Sequence, residues 1–134
     1  MSYRVIRIML RKRSRMRPKN FSTRYYSSKQ EKKIAKAVGG KQVANSGATA
    51  FSKGDVRNDL FLLEAKTHTE FKDSFSIKHS WIDKNREEAF QMGKRYSALV
   101  LDWGDGENHY LIDEHLFQEL LEHLREMSDE VQHT

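Results

Sequence analysis

The chain is predicted to be an α/β domain with a mixed central sheet flanked by helices and a further helix at its C-terminus. Three observations lead there. A helical segment with start and stop signals occupies residues 28–38 and ends at Gly39-Gly40. β-type runs follow, notably Phe61-Leu62-Leu63-Glu64-Ala65-Lys66 and Tyr96-Ser97-Ala98-Leu99-Val100-Leu101-Asp102, with a second helical segment between them. The end of the chain carries Leu116, Leu120 and Leu124 with Phe117 and Leu121, an amphipathic stripe at helical spacing. The predicted order is helix, three strands, helix, two strands, helix.

Residues 1–26 read as a basic arm ahead of a domain spanning 27–134. In the first helix, Ser28-Lys29-Gln30-Glu31 fits a capping box and the apolar positions are Ile34, Ala35, Ala37 and Val38. Glu31 lies three and four residues before Ile34 and Ala35, so it is expected on their inward face. Either it only closes the capping box, or it is an acid aimed at the sheet. Lys41–Ser46 is a candidate first strand, and residues 46–54 form a loop of small residues. A hairpin spans Asp55–Lys66 with Asn58-Asp59 as its turn. Residues 67–78 read as a loop. The next helix runs from about Ser80, its candidate cap, to Met92, with Gly93 as stop and Trp81, Ile82, Phe90 and Met92 as core or interface. Tyr96–Asp102 is a central strand. Asp102-Trp103-Gly104-Asp105-Gly106-Glu107 is a hairpin turn rather than an EF-hand loop. His109–Ile112 is the partner strand, and the last helix starts near Asp113.

At 134 residues the chain is one domain. It has no cysteine, which excludes disulfides, cysteine-bound zinc and a thiol nucleophile, and suits a reducing compartment. Its six histidines show no metal-site spacing. No apolar run approaches the ~18 residues that read as a membrane span.

The net charge of +5 hides a gradient. Residues 1–26 carry nine Lys/Arg and no acid, whereas residues 96–134 carry one Arg and ten acids. The basic end suits a polyanion, and the arm is expected to lie along a phosphate backbone. Arg13, Arg15 and Arg17 in the arm, Lys29 on the helix and Lys53 in the loop are the candidate contacts. An acid-free, Arg- and Ser-containing leader also has the composition of a transit peptide, which would place the protein in an organelle.

The chemistry concentrates in Gly54-Asp55 and Glu64-Ala65-Lys66. Alternation along a strand puts Leu60, Leu62, Glu64 and Lys66 on one face and Phe61, Leu63 and Ala65 on the other. With the turn at Asn58-Asp59, Asp55 sits opposite Leu62 and diagonal to Glu64. Buried charges cost several kcal/mol unless paired or bound to a metal. Carboxylates holding Mg²⁺, with a lysine beside them, are what phosphodiester hydrolysis uses. The alternative is a salt-bridge lattice of Asp55 and Glu64 with Lys53 and Lys66.

Asp55 followed by Glu64-Ala65-Lys66 resembles the PD-(D/E)XK nuclease signature, with Gly54 where the signature has proline. Together with Glu31 and the Asn45-Ser46-Gly47-Ala48 loop, residues 28–102 are similar to archaeal-type Holliday junction resolvases and their phage relatives. The resemblance implies a restriction-endonuclease-like core of order αβββαβ. It implies Mg²⁺, or Mn²⁺, held by Asp55, Glu64, the Ala65 carbonyl and Glu31, with Lys66 as catalytic lysine and Ser46 near the scissile phosphate. It also implies a homodimer that hydrolyses four-way DNA junctions. The alternatives are another repair or restriction-like nuclease of the same core, and a non-catalytic nucleic-acid-binding protein driven by the arm.

Overall fold

The computed structural model describes residues 21–43 and 55–133. Its elements run α1 (Thr23–Val38), β1 (Lys41–Gln42), β2 (Asp55–Arg57), β3 (Phe61–Thr67), α2 (His79–Gln91), β4 (Tyr96–Asp102), β5 (Asn108–Leu111) and α3 (Glu114–His133). The five strands form one sheet in the order β1-β2-β3-β4-β5. β1, β2 and β3 are a meander of antiparallel neighbours, β3 and β4 are parallel, and β5 returns antiparallel to β4. A parallel pair needs a crossover, and α2 supplies it. This is the predicted α/β class, with a mixed sheet and a C-terminal helix.

α1 starts earlier than the capping box implied. Ser22 is the N-cap, its backbone extended and its hydroxyl accepting from the Tyr25 amide at 3.3 Å. Ser28 therefore lies inside the helix, and Thr23–Tyr26, assigned from sequence to the arm, form its first turn. Phe21, stacked on Tyr25 at 4.3 Å between ring centroids, extends this end of the helix. The stop is as expected. Gly39 takes a left-handed φ of 62°, a conformation that costs a Cβ-bearing residue energy. Gly40 has a separate reason to be glycine, since an added Cβ would collide with the Arg57 carbonyl of β2.

The β2–β3 turn differs from its expected position. Asp55 pairs with Glu64, Val56 with Leu63 and Arg57 with Leu62. The turn is therefore centred on Asp59-Leu60, one residue further on, because the Asn58 side chain accepts from the Leu60 and Phe61 amides at 2.9 and 2.7 Å and closes an Asx turn. The displacement is two residues in register, so each side chain keeps its expected face.

One face of the sheet packs on α1. Ile34, Val56, Leu63, Ala98 and Val100 form the buried cluster, with Ala35, Val38, Phe61, Ala65 and Ile112 against it. Each large aliphatic side chain so buried contributes about 1.5–3 kcal/mol. The other face carries Leu62, Glu64, Lys66, Ser97, Leu99 and Leu101, the alternate residues of the β3–β4 register. It lies under α2.

α2 begins at His79, with Lys78 as an N-cap that makes no side-chain cap bond, so Ser80 is not the cap. It ends before Gly93, whose φ is 69°. Its buried residues are Asn85, Glu88 and Ala89, whereas Phe90 is 84% exposed. Of the core and interface roles expected for Phe90, the core role is excluded: it falls on the helix's outer face, while Trp81, Ile82, Asn85, Glu88 and Ala89, spaced i, i+1, i+4, i+7, i+8, face the sheet.

Residues 68–78 form the expected loop, anchored by the Lys72 amide on the Trp103 carbonyl and by Phe75 between His68 and Trp103. The 102–107 turn is held by Asp102, whose Oδ1 accepts from the Gly104 and Gly106 amides. β5 occupies Asn108–Leu111, one residue earlier than expected. Asp113 caps α3 through the Leu116 amide at 2.8 Å. The expected strand at Lys41–Ser46 is described only as Lys41–Gln42, followed by the Val43 amide on the Asp55 carbonyl. Among the described residues no helix is long and apolar enough to cross a membrane.

Candidate active site

The register brings Asp55 and Glu64 directly opposite one another on neighbouring strands. Both point to the α2 face. Opposed residues in an antiparallel pair have Cβ atoms about 5 Å apart, so two carboxylates are held together by backbone pairing alone. Both are buried, with Asp55 at 1% and Glu64 at 3% exposure.

Lys66, two residues along β3, shares that face. Its Nζ lies 3.5 Å from Glu64 Oε1 and 4.5 Å from the centroid of the Trp81 ring. Trp81 on α2 thus holds the ammonium beside the acids through a cation–π contact. Lys66 is partly exposed, so its amino group reaches from the buried pair toward solvent.

α2 adds a third acid. Glu88 is buried on the helix face above the pair and carries Lys84 at 3.7 Å, an i,i+4 partner. Burial first, then the neighbouring Glu88 and Glu64 carboxyls, push the Asp55 carboxyl up to about 8, while Lys84 opposes the rise. Glu88 is close enough to favour a proton on Asp55. Sequence reasoning missed Glu88. The available signal was its helical spacing from Trp81 and Asn85, which puts a charge on the face of α2 turned to the sheet.

Glu31 is not brought to this group. It is half-buried on α1, which packs against the opposite face of the sheet, and its Oε2 accepts from Gln42 Nε2 at 3.3 Å. Gln42 pairs with Val56 and so lies on the α1 side with it. Burial raises the Glu31 carboxyl and the Gln42 bond opposes the rise. The inward residue of this turn is Gln30, on the Tyr26, Gln30, Ile34 stripe. Gln30 Nε2 donates to the Lys66 carbonyl at 3.0 Å and lies 3.2 Å from both the Val100 carbonyl and Asn108 Oδ1. Thus α1 grips the backbone of the strand that carries Lys66, without supplying an acid. Ala65 pairs with Val100 on β4 and packs toward α1, one residue past the last described β2–β3 pair. Lys29 is exposed on α1. Arg13, Arg15, Arg17, Ser46 and Lys53 lie outside the described residues.

Among the described residues, no group of three His, Asp or Glu side chains is placed to hold a metal ion. The donor set nevertheless fits a hard cation. Asp55 Oδ1 and Oδ2 and Glu64 Oε2 are buried, and no amide, hydroxyl or ammonium of the described residues donates a hydrogen bond to them. A buried carboxylate without such a donor is normally neutralised by a proton or by a cation. Oxygen donors of this kind suit Mg²⁺ or Mn²⁺.

Compared with known proteins, the chain matches no family model, no curated protein and no solved structure.

Proposed function

We propose that the chain is a divalent-metal-dependent endodeoxyribonuclease with a restriction-endonuclease-like core, acting on branched DNA as a Holliday junction resolvase does. The observation that carries this reading is the buried Asp55–Glu64 pair, with oxygens that no amide or hydroxyl of the described residues reaches and Lys66 beside it. The element order helix, three strands, helix, strand is the order that the sequence resemblance implies, and it supports the same reading.

Asp55 and Glu64 would hold Mg²⁺ or Mn²⁺, which when bound supplies an acidified water and positive charge opposite the phosphoryl oxygens. The protein's own part is positional. β2–β3 pairing fixes the carboxylates, Trp81 fixes Lys66, and Lys66 offers an ammonium to the phosphate or to the attacking water. The neighbouring Glu88 carboxyl favours a proton on Asp55 when no cation is present. Release of that proton accompanies loading of the site, so activity should rise with pH toward the mildly alkaline range. A second copy of the chain would place two such sites against two opposed strands of a junction.

The test uses purified protein, a labelled four-way junction and a matching linear duplex, each with Mg²⁺ or EDTA. Paired nicks in the junction that need metal and disappear in Asp55→Asn, with junction binding retained, are the expected result. Metal-dependent cutting of both substrates would reassign the protein as a general nuclease. Cleavage surviving in Asp55→Asn would overturn the site.

A non-catalytic reading is favoured by one specific observation: Glu31 stands on the wrong side of the sheet to complete the acid set. In that case the protein binds nucleic acid through its basic arm, and no metal changes the outcome of the assay.

A further inference from the structure

We propose that the exposed face of α3 is where two copies of this chain associate, helix against helix. The inference is independent of the nuclease reading. α3 spans Glu114–His133, and its burial is concentrated in the first turn, at Leu116. Beyond that residue Phe117, Leu120, Leu124 and Met127 are 57%, 45%, 60% and 61% exposed. Val131, also exposed, continues the row.

The spacing of this row is three, four, three, four. That is a heptad seam, the pattern of helices that pack on other helices with a period of 3.5 residues. A helix that served only to cover its own sheet would turn its apolar stripe inward. Here the side chain that turns inward is Leu116, and the heptad row faces solvent. A continuous exposed apolar row on a folded domain marks an interaction surface.

The charges identify the occupant. With Phe117 and Leu124 at a and Leu120 and Met127 at d, the positions that border the seam are Leu116, Leu121, His123, Ser128 and Glu130. Glu119, Glu122, Arg125, Glu126 and Asp129 all take outer positions. A partner with a basic helix would be selected by acids lining the seam. In α3 the acids, Glu130 apart, are instead kept away from it, so a second α3 approaches without opposing rows of like charge. From Phe117 to Val131 the seam is about 21 Å long at 1.5 Å per residue. A seam this short makes association depend on protein concentration.

Sedimentation equilibrium of the full chain across the micromolar range tests the proposal. The wild type should approach twice the mass of the chain. Leu124→Lys combined with Met127→Lys should sediment at the single-chain mass, with its helix signal retained and a melting transition that no longer depends on protein concentration, because both side chains are exposed in the single chain. Leu124→Asn, a milder change, should raise the dimer dissociation constant more than about tenfold, the effect of losing one buried leucine. Glu122→Lys, on the outer face, should remain a dimer. A wild type that stays monomeric overturns the proposal and leaves the seam to another protein or to the basic N-terminal residues. A dimer that survives the double lysine substitution also overturns it, because the interface then lies elsewhere.

Discussion

Asp55 concentrates the energetic conflict of the molecule in one side chain. Its carboxyl is buried against two other carboxyls, and its folded pKa of about 8 stands above the ordinary value of 3.8. Between those values the folded state keeps a proton that the unfolded state has lost, so ΔG of unfolding falls as pH rises. The stabilising proton is fully present below the lower value and gone above the upper one. The loss has a ceiling of about 1.4 kcal/mol per pH unit within that window. Chemical denaturation at pH 5 and pH 8 should therefore show the wild type losing stability on the alkaline side, with Asp55→Asn losing much less. Equal pH slopes in the two proteins would contradict the assignment of this proton to Asp55. A residue that destabilises the fold at working pH is expected where function rather than packing sets its identity. The shared sheet face of Asp55, Glu64 and Lys66 was legible from sequence because strand alternation depends only on neighbouring residues. Glu31 was not, since its direction is decided by which stripe of α1 the sheet accepts.

At the scale of elements, two serines separate local from tertiary determinants. Ser28 has the capping-box spacing, but Ser22 makes the cap bond. Ser22→Ala should cost about 1 kcal/mol of stability, the usual value of an N-cap, and Ser28→Ala much less. Thermal melts of the two variants measure the difference, and the reverse order would restore the shorter helix. Asn58 illustrates the same point in a turn. Its side chain closes over two amides, moves the hairpin by two residues of register and converts a diagonal Asp55–Glu64 neighbour into a direct one. The inward face of α2 was not visible beforehand, because a helix that buries Asn85 and Glu88 and exposes Phe90 breaks the usual sorting of polar from apolar residues. Its logic emerges only when the polar strand face beneath it is known.

For the whole molecule, the charge gradient and the sheet point the same way. The acidic C-terminal third forms β4, β5 and α3, while the basic N-terminal residues precede the helix that packs behind the sheet. Removing residues 1–20 should leave the melting transition of the described body in place. It should weaken binding to DNA and flatten its salt dependence by nearly one logarithmic unit for each phosphate that the arm had neutralised. Filter binding over a range of salt concentrations would show this, and an unchanged slope would exclude the arm as a phosphate-binding segment.

The amino-acid sequence by itself determined the class of the fold, the order of its elements, the faces of β3 and the glycine stop of α1. All of these follow from local periodicity and from backbone conformations that particular residues permit. The tertiary structure alone decided that Asp55 opposes Glu64, that Glu88 rather than Glu31 is their third neighbour, and that the apolar row of α3 faces outward. Those facts depend on register and on which helix covers which face of the sheet. Both are settled by packing between segments far apart in the chain, where local spacing carries no information.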